Sequence, residues 1–191
     1  MLTNRDKQLL KFIEKYKSIS TQQAINIFFN GLRESAIRRL NQLEKSGELT
    51  HYYINKNKLY RLVGENKTIS EHDNYILDFY SWIYKNEGEV IDFQTSVHCL
   101  NGLLIPDAFT KFKMKYEDEE YIINAYLEID FTHYTDELKI KTLYQKLYNE
   151  SNEYWILIVA RPTKGLRINP SDFDVIYTDL KFNNLKRLIF Q

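Results

Sequence analysis

Three carboxylates in the second half of the sequence have the types and order of a metal site. Asp107 follows Pro106, and Glu128 and Asp130 stand two residues apart at the end of the apolar run 121–131. Alternate side chains of a strand share a face, so Glu128 and Asp130 should lie on the same side. Buried acids there would need a cation, a basic partner or solvent. A Mg²⁺ or Mn²⁺ ion bridging Asp107 and Glu128 would supply that charge and could activate water for phosphodiester hydrolysis.

This order resembles the metal centre of PD-(D/E)xK nucleases, in which a Pro-Asp pair is followed by Glu-x-Lys. Asp130 stands where the pattern has lysine, and Lys141 in the next amphipathic run, with Tyr144 three residues later, is the candidate for a cation donated by a helix. The candidate catalytic residues are Asp107, Glu128, Asp130 and Lys141, with Asp107 and Glu128 as metal ligands. An inert ion-pair network and a solvated edge strand explain the same acids without chemistry.

Composition bounds the class of protein. The 191 residues are 43% hydrophobic and include 15 Tyr and 11 Phe, enough to form packed cores. Cys99 is the single cysteine, and the four histidines are not clustered, so neither a disulfide nor a zinc site is indicated. The sequence has no apolar run near membrane-spanning length and no signal-peptide pattern at its start. We therefore expect a cytoplasmic protein that does not cross a membrane.

The charge is divided unevenly along the chain and suggests two modules. Residues 1–64 hold 12 Lys/Arg and 5 Asp/Glu, a net charge of +7, whereas the remainder holds 14 and 21, a net charge of −7. A basic segment suits a polyanion, although two solvated faces would give the same count. The predicted organisation is a basic domain over 1–64, a linker and connecting helix over 65–89, and an acidic domain over 90–191.

The basic domain has the pattern of a winged helix-turn-helix. Helical spacing of apolar residues predicts three helices, with Thr3 or Asn4 and then Ser20 as caps and Gly47 after the third helix. Two β-rich runs follow, around a polar turn at 55–58. In that architecture the third helix enters the major groove of DNA and the hairpin, or wing, touches the backbone.

Polar residues of the third helix and the wing are the predicted DNA contacts. Their side chains can bond phosphates and, on the helix, base edges as well. They are Arg33, Ser35, Arg38, Arg39, Asn41, Gln42, Lys56 and Lys58. The alternative is a winged helix that binds another protein.

The acidic domain is predicted to hold a mixed sheet. Strand-like runs begin at Val90, a hairpin surrounds the acidic turn 117–120, and the buried run "YWILIVA" follows an amphipathic helix. "DVIYT" and the terminal "LKRLIF" are predicted as further strands. The fold class is therefore α+β or α/β, with an N-terminal winged helix-turn-helix and a C-terminal nuclease-like domain.

The serial order of these segments resembles the replication-relaxation family. The resemblance lies in "LTNRDKQLLKFIEKYKSISTQQAINIFF", an Arg-rich helix ending "LEKSGEL" and a strand ending "LYRLV". The later matches are His72 in the next helix, Pro106-Asp107, Glu128-Ile-Asp130, and Lys141 with Tyr144 and Tyr148. The resemblance implies a DNA-binding protein of a plasmid or phage, acting in replication, transfer or transcription control.

Two functions that involve DNA remain from the sequence, beside the protein-binding winged helix that needs no nucleic acid. The first is sequence-specific binding of double-stranded DNA, with a catalytically degenerate nuclease-like domain used for assembly or for binding other replication or transfer proteins. The second is a DNA endonuclease or nickase that depends on Mg²⁺ or Mn²⁺; otherwise no cofactor is indicated. Operators of helix-turn-helix proteins are commonly two-fold symmetric, so a homodimer is also expected.

Overall fold

The computed structural model describes residues 1–136, 138–162 and 170–190. The chain divides into two compact units, Met1–Lys85 (unit 1) and Asn86–Gln191 (unit 2). Together the described residues form a mixed α+β structure with six helices and two sheets. No helix among them is long and apolar enough to cross a membrane.

Unit 1 begins with three helices and a small sheet. Its elements are α1 (Asn4–Tyr16), β1 (Ile19–Ser20), α2 (Thr21–Phe28), α3 (Arg33–Lys45), β2 (Leu49–Ile54), β3 (Asn57–Leu62) and α4 (Glu71–Lys85). The sheet order is β1-β3-β2, antiparallel throughout. Of the two candidates for the first cap, Thr3 rather than Asn4 caps α1, and Ser20 caps α2 as predicted, each in a reciprocal capping box that satisfies free backbone N–H groups at the helix start.

The core of unit 1 forms where the amphipathic faces of its helices meet the small sheet. Leu9 and Ile13 of α1 pack with Leu40 and Leu43 of α3 and with Ile19 of β1, all 2% exposed or less. Gly47, with φ +80°, lies just after α3, as predicted, because a left-handed residue there favours glycine. The core therefore fixes which side of α3 faces inward.

Unit 2 is a five-stranded mixed sheet in the order β4-β5-β6-β7-β8. Its elements are β4 (Glu89–Thr95), β5 (Ala108–Tyr116), β6 (Glu119–Ile129), a π-helical turn (Lys139–Tyr144), α5 (Gln145–Glu150), β7 (Ile156–Ala160), β8 (Val175–Thr178) and α6 (Leu185–Ile189). The first three strands are antiparallel neighbours, and β6, β7 and β8 run parallel. The five residues of β7 are all buried, as the run "YWILIVA" predicted.

One predicted strand of unit 2 is wrong. The terminal run 185–190 contains the helix α6, whose Leu185 is fully buried. Leu185, Leu188 and Ile189 recur at three- and four-residue spacing, which fits a helical stripe rather than the alternation of a strand.

Candidate functional site

The solvent-facing side of α3 is polar and carries more basic than acidic residues. Ala36, Leu40 and Leu43 face the core of unit 1. The residues about half a turn away lie on the opposite side of the helix. That exposed stripe consists of Glu34, Arg38, Asn41 and Lys45. Of the predicted DNA contacts on α3, Arg33, Arg38, Asn41 and Gln42 are exposed, whereas Ser35 and Arg39 are half-buried.

Arg39 is held by an acid inside unit 1. Its Nε donates to Asp6 Oδ1 at 2.8 Å and its NH2 group donates to Asp6 Oδ2 at 2.6 Å. Asp6 is only 2% exposed and also caps α1 through Thr3. The guanidinium of Arg39 holds the pKa of Asp6 well below its ordinary value. Arg39 therefore ties α3 to α1, a structural role that its position in the sequence does not reveal.

The hairpin beside α3 ends in a two-residue turn. Asn55 and Lys56 both have left-handed φ values, 46° and 68°, as in the type I′ turn that suits a tight hairpin. Lys56 is exposed at the tip. Lys58 instead bonds Glu44 of α3 at 2.9 Å, and His51 contacts the same carboxylate. Glu44 thus fastens the hairpin to the end of α3.

In unit 2 the predicted acids meet at the ends of β5 and β6. Asp107 directly precedes β5, and its carboxylate accepts the backbone N–H of Ile129 at 2.6 Å. Glu128 is buried in β6 at 5% exposure, and Asp130 follows the strand at 2%. The hydroxyl of Thr135 lies 2.8 Å from Asp130 Oδ1 and 3.3 Å from Glu128 Oε2, so it bridges the two acids.

Each of the two buried acids, Glu128 in β6 and Asp130 just after it, is paired with its own cation. Lys139 Nζ lies 2.6 Å from Glu128 Oε1, and the hydroxyl of Tyr144 donates to the same oxygen. Arg161, only 7% exposed, donates to Asp130 at 2.5 Å. Burial raises the pKa of Glu128; the ammonium of Lys139 and the hydroxyl of Tyr144 oppose that increase, and the nearby Asp107 adds to it. The acids therefore sit in an ion-pair and hydrogen-bond network.

The lysine at this network is Lys139, whereas the sequence had indicated Lys141. Residues 139–144 form a π-helical turn, in which residues five apart share a face. Lys139 and Tyr144 therefore meet at Glu128, while Lys141 is exposed. The prediction of Lys141 assumed α-helical spacing from Tyr144. Arg161 was not among the candidates, and the signal in the sequence was its position directly after the buried run "YWILIVA".

The network limits what chemistry the site can perform. Among residues 1–136, 138–162 and 170–190, no group of three or more His, Cys, Asp or Glu side chains is placed to hold a metal ion. Asp107 and Glu128 are close enough to influence each other electrostatically. A metal at this position would have to displace Lys139 or share Glu128 with it.

Comparisons with protein-family models, with curated proteins and with solved structures find no match to the chain.

Proposed function

We propose that the protein binds specific sequences in double-stranded DNA through unit 1, as a winged helix-turn-helix. The observation that carries the proposal is the exposed polar stripe of α3 beside a hairpin tipped by Lys56. Unit 1 holds 14 basic and 9 acidic residues, a net charge of +5, which favours a polyanion. The helix would enter the major groove and the hairpin would touch the phosphate backbone.

The exposure and the partners of the side chains in unit 1 separate the residues proposed to contact DNA from those that hold the fold together. Arg38, Asn41 and Gln42 are free of the core and carry groups that bond guanine and adenine edges. Arg33 and Lys56 are exposed at the beginning of α3 and at the hairpin tip, where phosphate contacts are expected. Arg39 and Lys58 are assigned to fixing α3 and the hairpin, because Asp6 and Glu44 bind them.

For unit 2 we propose a nuclease-like fold that binds a partner rather than cutting DNA. The support is the pairing of Glu128 with Lys139 and of Asp130 with Arg161, which neutralises both acids within the protein. Unit 2 has 12 basic and 17 acidic residues, a net charge of −5, which disfavours DNA binding by this unit alone. The family resemblance adds replication, transfer or transcription control of a mobile element to the proposal, and the common two-fold symmetry of helix-turn-helix operators adds a homodimer.

Selection of bound duplexes from a random DNA pool tests this function. The proposal expects enrichment of one motif, with affinity for it at least about a thousand times that for a scrambled duplex, as is typical of specific binders. A two-fold symmetric motif would support the homodimer, and a single half-site would argue against it. Failure to enrich any motif would overturn sequence-specific binding.

A second candidate function is supported by Lys139. Asp107, Glu128 and Lys139 together supply the Asp, Glu and Lys of a PD-(D/E)xK centre, with the lysine donated by the π-helical turn. Supercoiled plasmid incubated with Mg²⁺ or Mn²⁺ tests it, with Glu128→Gln as the variant that keeps the shape of the side chain. Nicking by the wild type that Glu128→Gln abolishes would establish the endonuclease, and no nicking by either protein would exclude it under those conditions.

A further inference from the structure

The β5–β6 hairpin extends beyond the rest of the sheet in unit 2. β6 begins at Glu119, but β7 pairs with it only from Ala125 onward. Residues 119–124 are paired with β5 on one side. Within the described parts of the chain, no strand lies along their other side. Among the described residues, 119–124 of β6 therefore have one backbone edge that pairs with no strand, although the rest of β6 is paired on both sides.

The geometry of the hairpin turn tells which backbone groups face that edge. Glu117 and Asp118 form a two-residue turn with left-handed φ values of 48° and 66°. The residues flanking such a turn form a hydrogen-bonded pair, and hydrogen-bonded and non-hydrogen-bonded pairs then alternate along the ladder. Glu120 and Ile122 fall at non-hydrogen-bonded positions of the register. Their N–H and C=O groups consequently point away from β5, towards the edge.

A groove follows the same edge. Its volume is about 630 Å³, and four consecutive residues of β6, 121–124, line it. Successive side chains of a strand point to opposite faces, so a groove that touches all four runs along the backbone edge rather than over one face. The segment 173–176 and Phe190 line other parts of the groove. The ring of Phe190 stacks on Tyr116, 4.5 Å between centroids, and so fastens the chain end to the hairpin.

The lining is apolar with hydrogen-bond acceptors at its rim. Ile122 and Tyr154 are each 58% exposed. Asn124 Oδ1 is buried and accepts no hydrogen bond from the described residues, while its Nδ2 donates to the backbone oxygen of Tyr154 at 3.1 Å. Asp174 adds an exposed carboxylate to the lining, and one of its oxygens accepts a hydrogen bond from the hydroxyl of Tyr154; Glu120, on the adjoining hairpin, is paired with Lys113 at 3.3 Å. Such a surface favours an occupant that is apolar and carries hydrogen-bond donors or positive charge.

We propose that this groove binds an extended segment of a partner protein, which adds a strand to the free edge of β6. The outward N–H and C=O groups of Glu120 and Ile122 would pair with the backbone of that segment. Alternate apolar side chains of the segment would contact Ile122 and Tyr154, and a Lys or Arg would reach Asp174. The inference gives a location to the partner-binding role proposed for unit 2 and rests on that role.

A display library of random linear peptides, selected against the full-length protein, tests the inference. The enriched peptides are expected to alternate apolar residues and to contain a Lys or Arg. Binding of a synthetic consensus peptide is then measured by fluorescence anisotropy to the wild type, Ile122→Pro and Ile122→Val. Ile122→Pro removes an outward N–H while leaving the β5 ladder intact, and should weaken binding about tenfold or more. Ile122→Val keeps the N–H and should bind like the wild type.

Two further measurements make the result decisive. Asp174→Asn leaves the backbone edge untouched and should weaken binding of the consensus peptide. It should not change binding of a peptide in which the basic residue of the consensus is replaced by Gln. Equal affinity of the wild type and Ile122→Pro would place the peptides elsewhere and overturn the groove, while leaving partner binding by unit 2 in place. No enriched peptide, or dimerisation of the protein through this edge instead, would overturn the inference. DNA binding by the same preparations reports separately on the function proposed for unit 1.

Discussion

Asp6 and Arg39 form a two-point ion pair that joins the first helix to the third. The two parallel hydrogen bonds measure 2.8 and 2.6 Å, and Thr3 binds the same buried carboxylate to cap α1. Paired hydrogen bonds of this kind fix orientation as well as adding energy. The ion pair between Asp6 and Arg39 thus fixes the orientation of α3, and of its exposed stripe, relative to α1.

Replacement of Arg39 should damage the fold more than replacement of its neighbour Arg38. Arg39→Ala leaves the carboxylate of Asp6 buried without its cation, at an expected loss of about 2–3 kcal/mol in unfolding free energy, less than for a fully buried pair because Arg39 is partly exposed. Arg38→Ala removes an exposed side chain and should change stability by less than ~0.5 kcal/mol. Urea unfolding followed by circular dichroism measures both. Equal effects of the two changes would contradict the structural role of Arg39.

Asp78 should make the stability of the protein depend on pH. Burial raises the pKa of Asp78 to about 6, although a hydrogen bond from Gln23 at 2.8 Å opposes the increase. The folded state therefore holds the proton more tightly than the unfolded state, whose carboxyl ionises near its ordinary value of about 4. The stability contributed by the protonated carboxyl is complete below about pH 4 and is lost as the pH rises through about 6.

Asp78→Asn checks that pH dependence. The amide cannot ionise, so the fall in stability between about pH 4 and pH 7 should become shallower in the variant than in the wild type. Urea unfolding of both proteins at a series of pH values gives the comparison. The same slope in the two proteins would show that another group causes the dependence.

Lys139 should matter for unit 2 where Lys141 does not. Lys139→Met leaves the buried Glu128 without its cation, so the pKa of Glu128 should rise further and unit 2 should lose about 2–4 kcal/mol of stability at neutral pH. Lys141→Met, at an exposed position of the same turn, is the matched control and should be nearly neutral. The double change Lys139→Met with Glu128→Gln should recover much of the loss, because no uncompensated charge remains. Additive losses in the double variant would argue against the pair.

Lys56 offers a way to separate folding from DNA binding. The residue has φ 68°, which glycine adopts more readily than lysine, so Lys56→Gly should leave hairpin stability unchanged or raise it by up to about 1 kcal/mol. The same change removes a cation from the hairpin tip. The slope of log affinity against log salt concentration should then decrease in magnitude by about 1, the value for one lost phosphate contact. Urea unfolding and anisotropy with the selected duplex measure the two effects. An unchanged salt dependence would show that the hairpin tip does not contact DNA.

Local patterns in the sequence predicted most of the elements, because caps, turns and apolar spacing act over a few residues. Thr3 and Ser20 cap helices, Gly47 follows α3, and the wholly apolar run at 156–160 is a buried strand. The terminal run 185–190 was mistaken for a strand because a short apolar run is ambiguous without its neighbours.

The partners of the functional residues were harder to predict. Asp6 and Arg39 lie 33 positions apart, and no local pattern joins them. Lys139 was missed because a single π-helical turn shifts the phase of the face that meets Glu128. The two-residue spacing of Glu128, in β6, and Asp130, directly after β6, did bring the two side chains together, since side chains alternate strictly along an extended chain.

The most direct test of the central proposal is the affinity of Arg38→Ala for the selected duplex, over a series of salt concentrations. Lys11→Ala removes the same charge from an exposed position on α1 and serves as the matched control. If α3 enters the major groove, Arg38→Ala should lose about 1–3 kcal/mol of binding free energy and discriminate less against the scrambled duplex. Lys11→Ala should bind almost like the wild type. Indistinguishable affinities and salt slopes for all three proteins would contradict DNA binding through α3.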